Sequence, residues 1–175
     1  GEGGASSWGS NPSNGNNAFN TKPDNIATMS ICFDVEDPNY SSSDVYYLTF
    51  DLRQEYSYNP NYSWFRIKSD NNILSDINGK NYFQPNTPYS DPWQEVKYNV
   101  TSLVNQGLFS IDFQTCNKYE YGYANNGDNG YVDNILIYKA IFGCTDSISF
   151  NYDPTANTDD GTCTPFVYGC TDPTA

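Results

Sequence analysis

The sequence has no histidine, one methionine and only 8 Lys and Arg against 21 Asp and Glu, a formal net charge of −13. Without histidine, Ser-His-Asp and Cys-His nucleophile pairs and His-ligated zinc are excluded. The shortage of positive charge removes the basic footprint that phosphate recognition needs, so nucleic acid is excluded as a partner. It also disfavours an anionic membrane surface, and no apolar run approaches the ~20 residues of a membrane-spanning helix. The opening GEGGASSWGS has no signal-peptide pattern and reads as a mid-chain or post-cleavage start. Lys, Glu and Ala are scarce, and no segment of helix length carries a 3.6-residue apolar period.

What is abundant is aromatic: 16 Tyr and 10 Phe, with aromatics at 17% of the chain. That composition favours strands. After the turn-rich stretch GSNPSNGNNAFNTKPDN, short period-two segments alternate with turn residues. They are IATMSICFDV (26–35), VYYLTFDL (45–52), NYSWFRIK (61–68), WQEVKYNV (93–100), LFSIDFQT (108–115) and YVDNILIY (131–138). Phe65 and Ile67 fall on one face of the third, Trp64, Arg66 and Lys68 on the other; TSLVNQG supplies one helical turn. The pattern predicts an all-β fold: an antiparallel β-sandwich with core aromatics on the inward parity. A small, largely irregular module follows, because the composition changes near residue 141. Five cysteines in an acidic, Asn- and Tyr-rich chain point to an oxidising, extracellular compartment, and their odd number leaves one without a partner in these residues.

The run DPWQEVKYNVTSLVNQGLFSIDFQTCNKYEYGYANNGDNGYVDNILIY carries Trp93 opening a strand, the alternating Phe109, Ile111 and Phe113, and a Gly/Asp loop leading into Y-V-D-N-I. It resembles the end of MAM-like jelly-roll domains, found in receptor ectodomains and as cleaved-adhesin modules of secreted bacterial proteins. YYLTFDLRQEYSYNPNYSWFRIKSD is similar to that family's central strands, so the resemblance covers roughly residues 1 to 140. The family's Phe-Glu and Trp opening segment is represented only by SSW, which leaves a first strand missing or supplied from outside the segment. The resemblance implies a structural calcium at Asp133, with Asp128 and Asn16 or Asn17 adding oxygens. The plainer alternative is that Asp133 only accepts backbone N–H groups at a strand start. Tyr119, Tyr121, Tyr123 and Tyr131, with aromatics such as Trp64 near turns, suit sugar stacking as well as ordinary β-protein packing.

GCTDSISFNYDPTANTDDGTC (143–163) carries Cys144, Asp146, Asn151, Tyr152, Pro154, Asp159, Asp160 and Cys163. It resembles a repeat found in tandem in secreted surface proteins of Bacteroidota and, more loosely, calcium-loaded thrombospondin type 3 repeats. A segment this short cannot bury a sufficient core and needs a staple, for which Cys144 and Cys163 are placed. Asp146, Asp153, Asp159 and Asp160 then crowd a small loop, where solvent or a calcium ion relieves their repulsion. GCTDPTA at 169–175 restarts the motif 26 residues on, so Cys170 is expected to pair beyond residue 175. The domains are therefore read as 1–141, 142–168 and a truncated second repeat, 169–175. Cys32 and Cys116 remain for the sandwich, as a disulfide or as two buried thiols. Asp146-Ser147-Ile148 fits a D-S/T-apolar pattern that resembles Bacteroidota O-glycosylation sites, and the resemblance implies a glycan on Ser147.

These features suggest a non-catalytic, secreted surface adhesin or fibre segment, stiffened by disulfides and calcium, whose partners are a cell-surface glycan or protein or neighbouring copies of itself. The alternative is an accessory domain of a larger secreted hydrolase or protease. An enzyme within these residues is not expected: adjacent carboxylates such as Glu36 and Asp37 point to opposite faces of a strand.

Overall fold

Alternation places Tyr46, Leu48, Phe50 and Leu52 on one face of an extended segment, and all four are buried. Comparable strands recur through the computed structural model, which describes residues 26–55, 63–85, 91–117, 130–167 and 169. The order is β1 (Ile26–Phe33), β2 (Tyr46–Gln54), β3 (Ser63–Ser69), β4 (Asn72–Ile73), β5 (Gln94–Asn99), α1 (Thr101–Val104), β6 (Phe109–Asn117), β7 (Gly130–Lys139), β8 (Phe142–Gly143) and β9 (Thr158–Asp159). The fold is all-β, with a single short helical turn among the described residues, at the TSLV where one was expected.

Two antiparallel sheets form, ordered β1-β6-β3-β4 and β5-β2-β7. Their inner faces share one core, in which Phe50 of the smaller sheet meets Phe113 of the larger edge-on at 5.1 Å and stacks on Tyr98 at 5.8 Å. Burying each such ring contributes on the order of 2 kcal/mol, which is what holds the sheets face to face. The β3–β4 turn uses Asp70 and Asn71, both at positive φ (46° and 68°), the geometry a two-residue hairpin needs.

β3 is buried on both faces, which the alternation did not predict. Phe65 and Ile67 enter the main core, while Trp64 packs outside with Cys116, Ile26 and an edge-on Tyr82 at 6.4 Å. Beside it Arg66 Nε donates to Gln114 Oε1 at 2.7 Å, and Gln114 Nε2 donates to Thr28 Oγ1 at 3.1 Å. Those three residues face one another across β3, β6 and β1, so the polar face is stitched through the Gln114 amide.

The expected Cys32–Cys116 bridge is not made. In the β1–β6 ladder Cys32 faces Ser110 and Cys116 faces Ile26, six residues away. Six strand residues span about 20 Å, whereas a disulfide requires Cα atoms within about 7 Å. Nor are both thiols buried: Cys32 is exposed and Cys116 is buried.

Beyond β7 the chain is stapled by Cys144–Cys163, with Cα atoms 4.8 Å apart. β8 and β9 pair in parallel, Phe142 with Thr158 and Gly143 with Asp159. Gly143 fits closely there: a Cβ would lie 3.1 Å from Ala156 Cβ and 3.2 Å from Asp153 Oδ2, so a larger residue must push these neighbours back.

Candidate binding face

The inward parity of β2 fixes its outward parity, so Tyr47, Thr49, Asp51 and Arg53 line the outer face of the β5-β2-β7 sheet. Antiparallel register gives each a neighbour on either side. Tyr47 lies between Asn99 and Tyr138, Thr49 between Lys97 and Leu136, and Asp51 between Glu95 and Asp133. Arg53 ends the series, its guanidinium 4.5 Å from the Tyr131 ring centroid and 5.3 Å from that of Trp93.

A bulge in β7 makes these rows line up. The register shifts between Thr49 and Asp51, where Asn134 takes φ +52°, a conformation asparagine tolerates better than most residues. Asn134 N–H donates to Asp133 Oδ1 at 2.8 Å and its Nδ2 donates to Asp51 Oδ2 at 2.7 Å, joining the two carboxylates through an amide. Asp133 thus lies three residues into β7, not at its start, and accepts the backbone N–H of the next residue.

Aromatic stations occupy both ends of the face. At one, Glu55 accepts from Arg53 Nη2 at 2.9 Å and from the Tyr131 hydroxyl at 2.9 Å, fixing a guanidinium between two rings while Trp93 remains 46% exposed. At the other, Lys97 Nζ lies 4.2 Å from the Tyr47 centroid and 5.4 Å from that of Tyr138. Arg53 and Tyr47 are six strand residues apart, about 20 Å. Between the stations run Glu95, Asp51, Asn134 and Lys97, which together offer both acceptors and donors, while Thr49 beneath them is buried. Where the first station meets the edge of the larger sheet, a cavity of about 300 Å³ opens between Met29, Phe113, Trp93 and Tyr131.

No family model, curated protein or solved structure matches this chain.

The residues singled out from the sequence fall differently. Trp64 is 9% exposed and packed by Tyr82, so its ring is not an open stacking surface. Tyr119, Tyr121, Tyr123, Asp128, Asn16, Asn17 and Cys170 lie outside the described residues. Ser147 is exposed in a turn of the small module. In that module each aspartate serves its own turn. Asp153 Oδ1 accepts from Thr155 N–H at 2.9 Å and Oγ1 at 2.7 Å, and Asp160 Oδ1 accepts from Thr162 N–H at 2.9 Å and Oγ1 at 2.6 Å. The threonine hydroxyls, ahead of the backbone donors, hold both carboxyls below their ordinary value. Asp146 takes Ile148 N–H and Ser149 Oγ, each at 3.1 Å, and Asp159 takes Gly161 N–H at 3.2 Å. Among the described residues no three or more acids or cysteines converge as a metal site. Trp93, Lys97 and Tyr138 were not singled out as ligand residues. Their signal in the sequence is the outward parity of strands whose inward parity is the core.

Proposed function

We propose that this chain is a non-catalytic segment of an extracellular surface adhesin or fibre, and that the outer face of β5-β2-β7 binds an extended glycan. The observation that carries the reading is two aromatic stations about 20 Å apart with hydrogen-bonding side chains in register between them. Sugars present apolar C–H faces that stack on rings and hydroxyls that need both donors and acceptors. Trp93 and Tyr131 supply the first, and Glu95, Asp51, Asn134 and Lys97 the second. The mechanism is passive: the sheet holds these groups preorganised, so little ordering is needed on binding.

The jelly-roll relationship belongs to the same proposal, supported by two antiparallel sheets around one core. The secreted location is supported by the Cys144–Cys163 disulfide, a bond kept in oxidising compartments. Calcium enters at Asp133, beside Asp51, and titration of CaCl2 followed by calorimetry checks it. The same face serves an accessory module of a secreted hydrolase equally well, and the genomic flank decides between the two.

The test is a glycan array with the chain, followed by titration of the best oligosaccharide against Trp93→Ala and Tyr138→Ala. Binding weakened tenfold or more by each substitution supports the reading. An array without any glycan ligand, or binding that both variants retain, sinks it.

A further inference from the structure

The chain enters the small module without a spacer. Ala140 N–H donates to Val45 O at 2.8 Å and still belongs to the sandwich. On either side of it Asn157 of the module grips the backbone. Its Nδ2 donates to Lys139 O at 2.9 Å and its Oδ1 accepts from Ile141 N–H at 2.8 Å. The N–H groups of Asn157 and Thr158 then donate to Ile141 O at 3.0 and 3.2 Å, and the parallel β8–β9 pair continues the grip. Two folded bodies therefore share one peptide segment.

The sequence supplies a second such place. Gly169 and Cys170 repeat Gly143 and Cys144 with a period of 26 residues, so Pro165, Phe166 and Val167 stand where Lys139, Ala140 and Ile141 stand before the first unit. The backbone groups needed are all present: the grip uses the carbonyl at the first position, which proline retains, and the N–H and carbonyl at the third. The body before this segment already holds it, through Phe150 N–H to Thr164 O at 2.8 Å and the antiparallel Ser149–Pro165 bridge, as Val45 holds Ala140. The apolar side chains here are exposed. Val167 is 90% exposed, and Phe150 and Phe166 are 73% and 51% exposed, their rings edge-on at 5.7 Å.

We propose that Phe150, Phe166 and Val167 form the seat of the next Gly-Cys-Thr-Asp unit of this chain, and that the counterpart of Asn157 in that unit clamps the backbone of 165–167. The units then join by a repeated clamp into a stiff rod, with the exposed apolar patch as the buried joint. This rests on the first junction and the period and is independent of what the sheet face binds.

The test uses two chains: the present one, and one continued by a copy of residues 143–168 after Tyr168. Hydrogen exchange at the Val167 amide is expected to slow tenfold or more in the longer chain, and hydroxyl-radical oxidation of Phe166 to fall. Replacing the copy's counterpart of Asn157 with Ala should restore the fast exchange while the copy's disulfide, checked by mass, persists. Equal exchange in both chains, or protection that survives the Ala substitution, overturns the proposal. Should the copy fail to form its disulfide, Asn157→Ala in the present chain decides. Faster exchange at Ile141 and faster tryptic cleavage after Lys139, with the melting of the sandwich unchanged, support the clamp; an unaltered junction overturns it.

Discussion

Gly130 lies against Thr115 with no room for a side chain: a Cβ on Gly130 would stand 2.5 Å from Thr115 Cγ2 and 3.3 Å from Phe65 Cδ2. Here the first residue of β7 presses on the opposite sheet. Gly130→Ala is expected to cost about 1–3 kcal/mol by overpacking, read from urea denaturation. Adding Thr115→Ser, which removes that methyl, should recover part of the loss.

Gln114 gives Arg66 Nε an acceptor on a buried face. Gln114→Leu preserves approximate volume but removes the acceptor, and leaving that donor unmet is expected to cost about 1–3 kcal/mol. A denaturation midpoint equal to the parent's would show that Arg66 finds another acceptor without penalty.

Asp37 accepts from the Tyr46 hydroxyl at 2.6 Å and from Lys139 at 3.2 Å, and Lys139 also reaches Asp44 at 2.6 Å. The Tyr46 bond, first, holds Asp37 below 3.8, and the Lys139 bond does the same for Asp44. Depressed carboxyls stabilise the fold fully above pH 3.8 and lose that contribution as pH falls through their folded values. Tyr46 acts in the opposite sense. Burial and then Asp37 push its phenol from 10.0 up to about 12, so its contribution is whole below pH 10 and fades between 10 and 12. Lys139, raised above 10.5 chiefly by Asp44, fades in the same alkaline range. Melting temperature against pH should show a plateau with both edges, and Tyr46→Phe should soften the acid edge.

The Cys144–Cys163 bond closes a segment with a sequence separation of 19 residues. By loop-closure entropy it contributes about 3 kcal/mol to the module, a large share for so few residues. Cys144→Ser with Cys163→Ser should therefore raise hydrogen exchange across 142–165 to near-unprotected rates while β2, β3 and β6 keep theirs. Protection retained in the module would mean that its turns fold without the staple.

Alkylation with iodoacetamide under native conditions, mapped by mass, should label Cys32 rapidly. Cys116 should resist until unfolding, since burial pushes its thiol up to about 12 and the thiolate is the reactive form. A peptide joining Cys32 to Cys116 would contradict the register of β1 and β6.

Six strands were legible because period-two alternation needs only a handful of residues, and the staple because a short segment with two cysteines has few other ways to fold. β4, β8 and β9 are two residues each and leave no period to read. Trp64 and Arg66 sit on the outward parity of β3, and alternation alone carries no sign that Tyr82 and Gln114 cover them. Strict period two puts Asp133 and Ile135 of YVDNILIY on one face, so the bulge at Asn134 that turns Asp133 outward and Ile135 toward the core was not read. The Cys32–Cys116 pairing came from what was left over, and register, which sequence does not state, decides against it. The candidate face is assembled from residues as far apart as Tyr47 and Tyr138. It becomes visible only once three strands are laid side by side.

β7 bears Tyr131, Asp133 and Tyr138 on the outer face and runs through Ala140 directly into the clamp of Asn157. One strand is thus both palm and wrist. With no free hinge between them, the outer face of β5-β2-β7 turns relative to the small module only if the Asn157 bonds to Lys139 and Ile141 are broken.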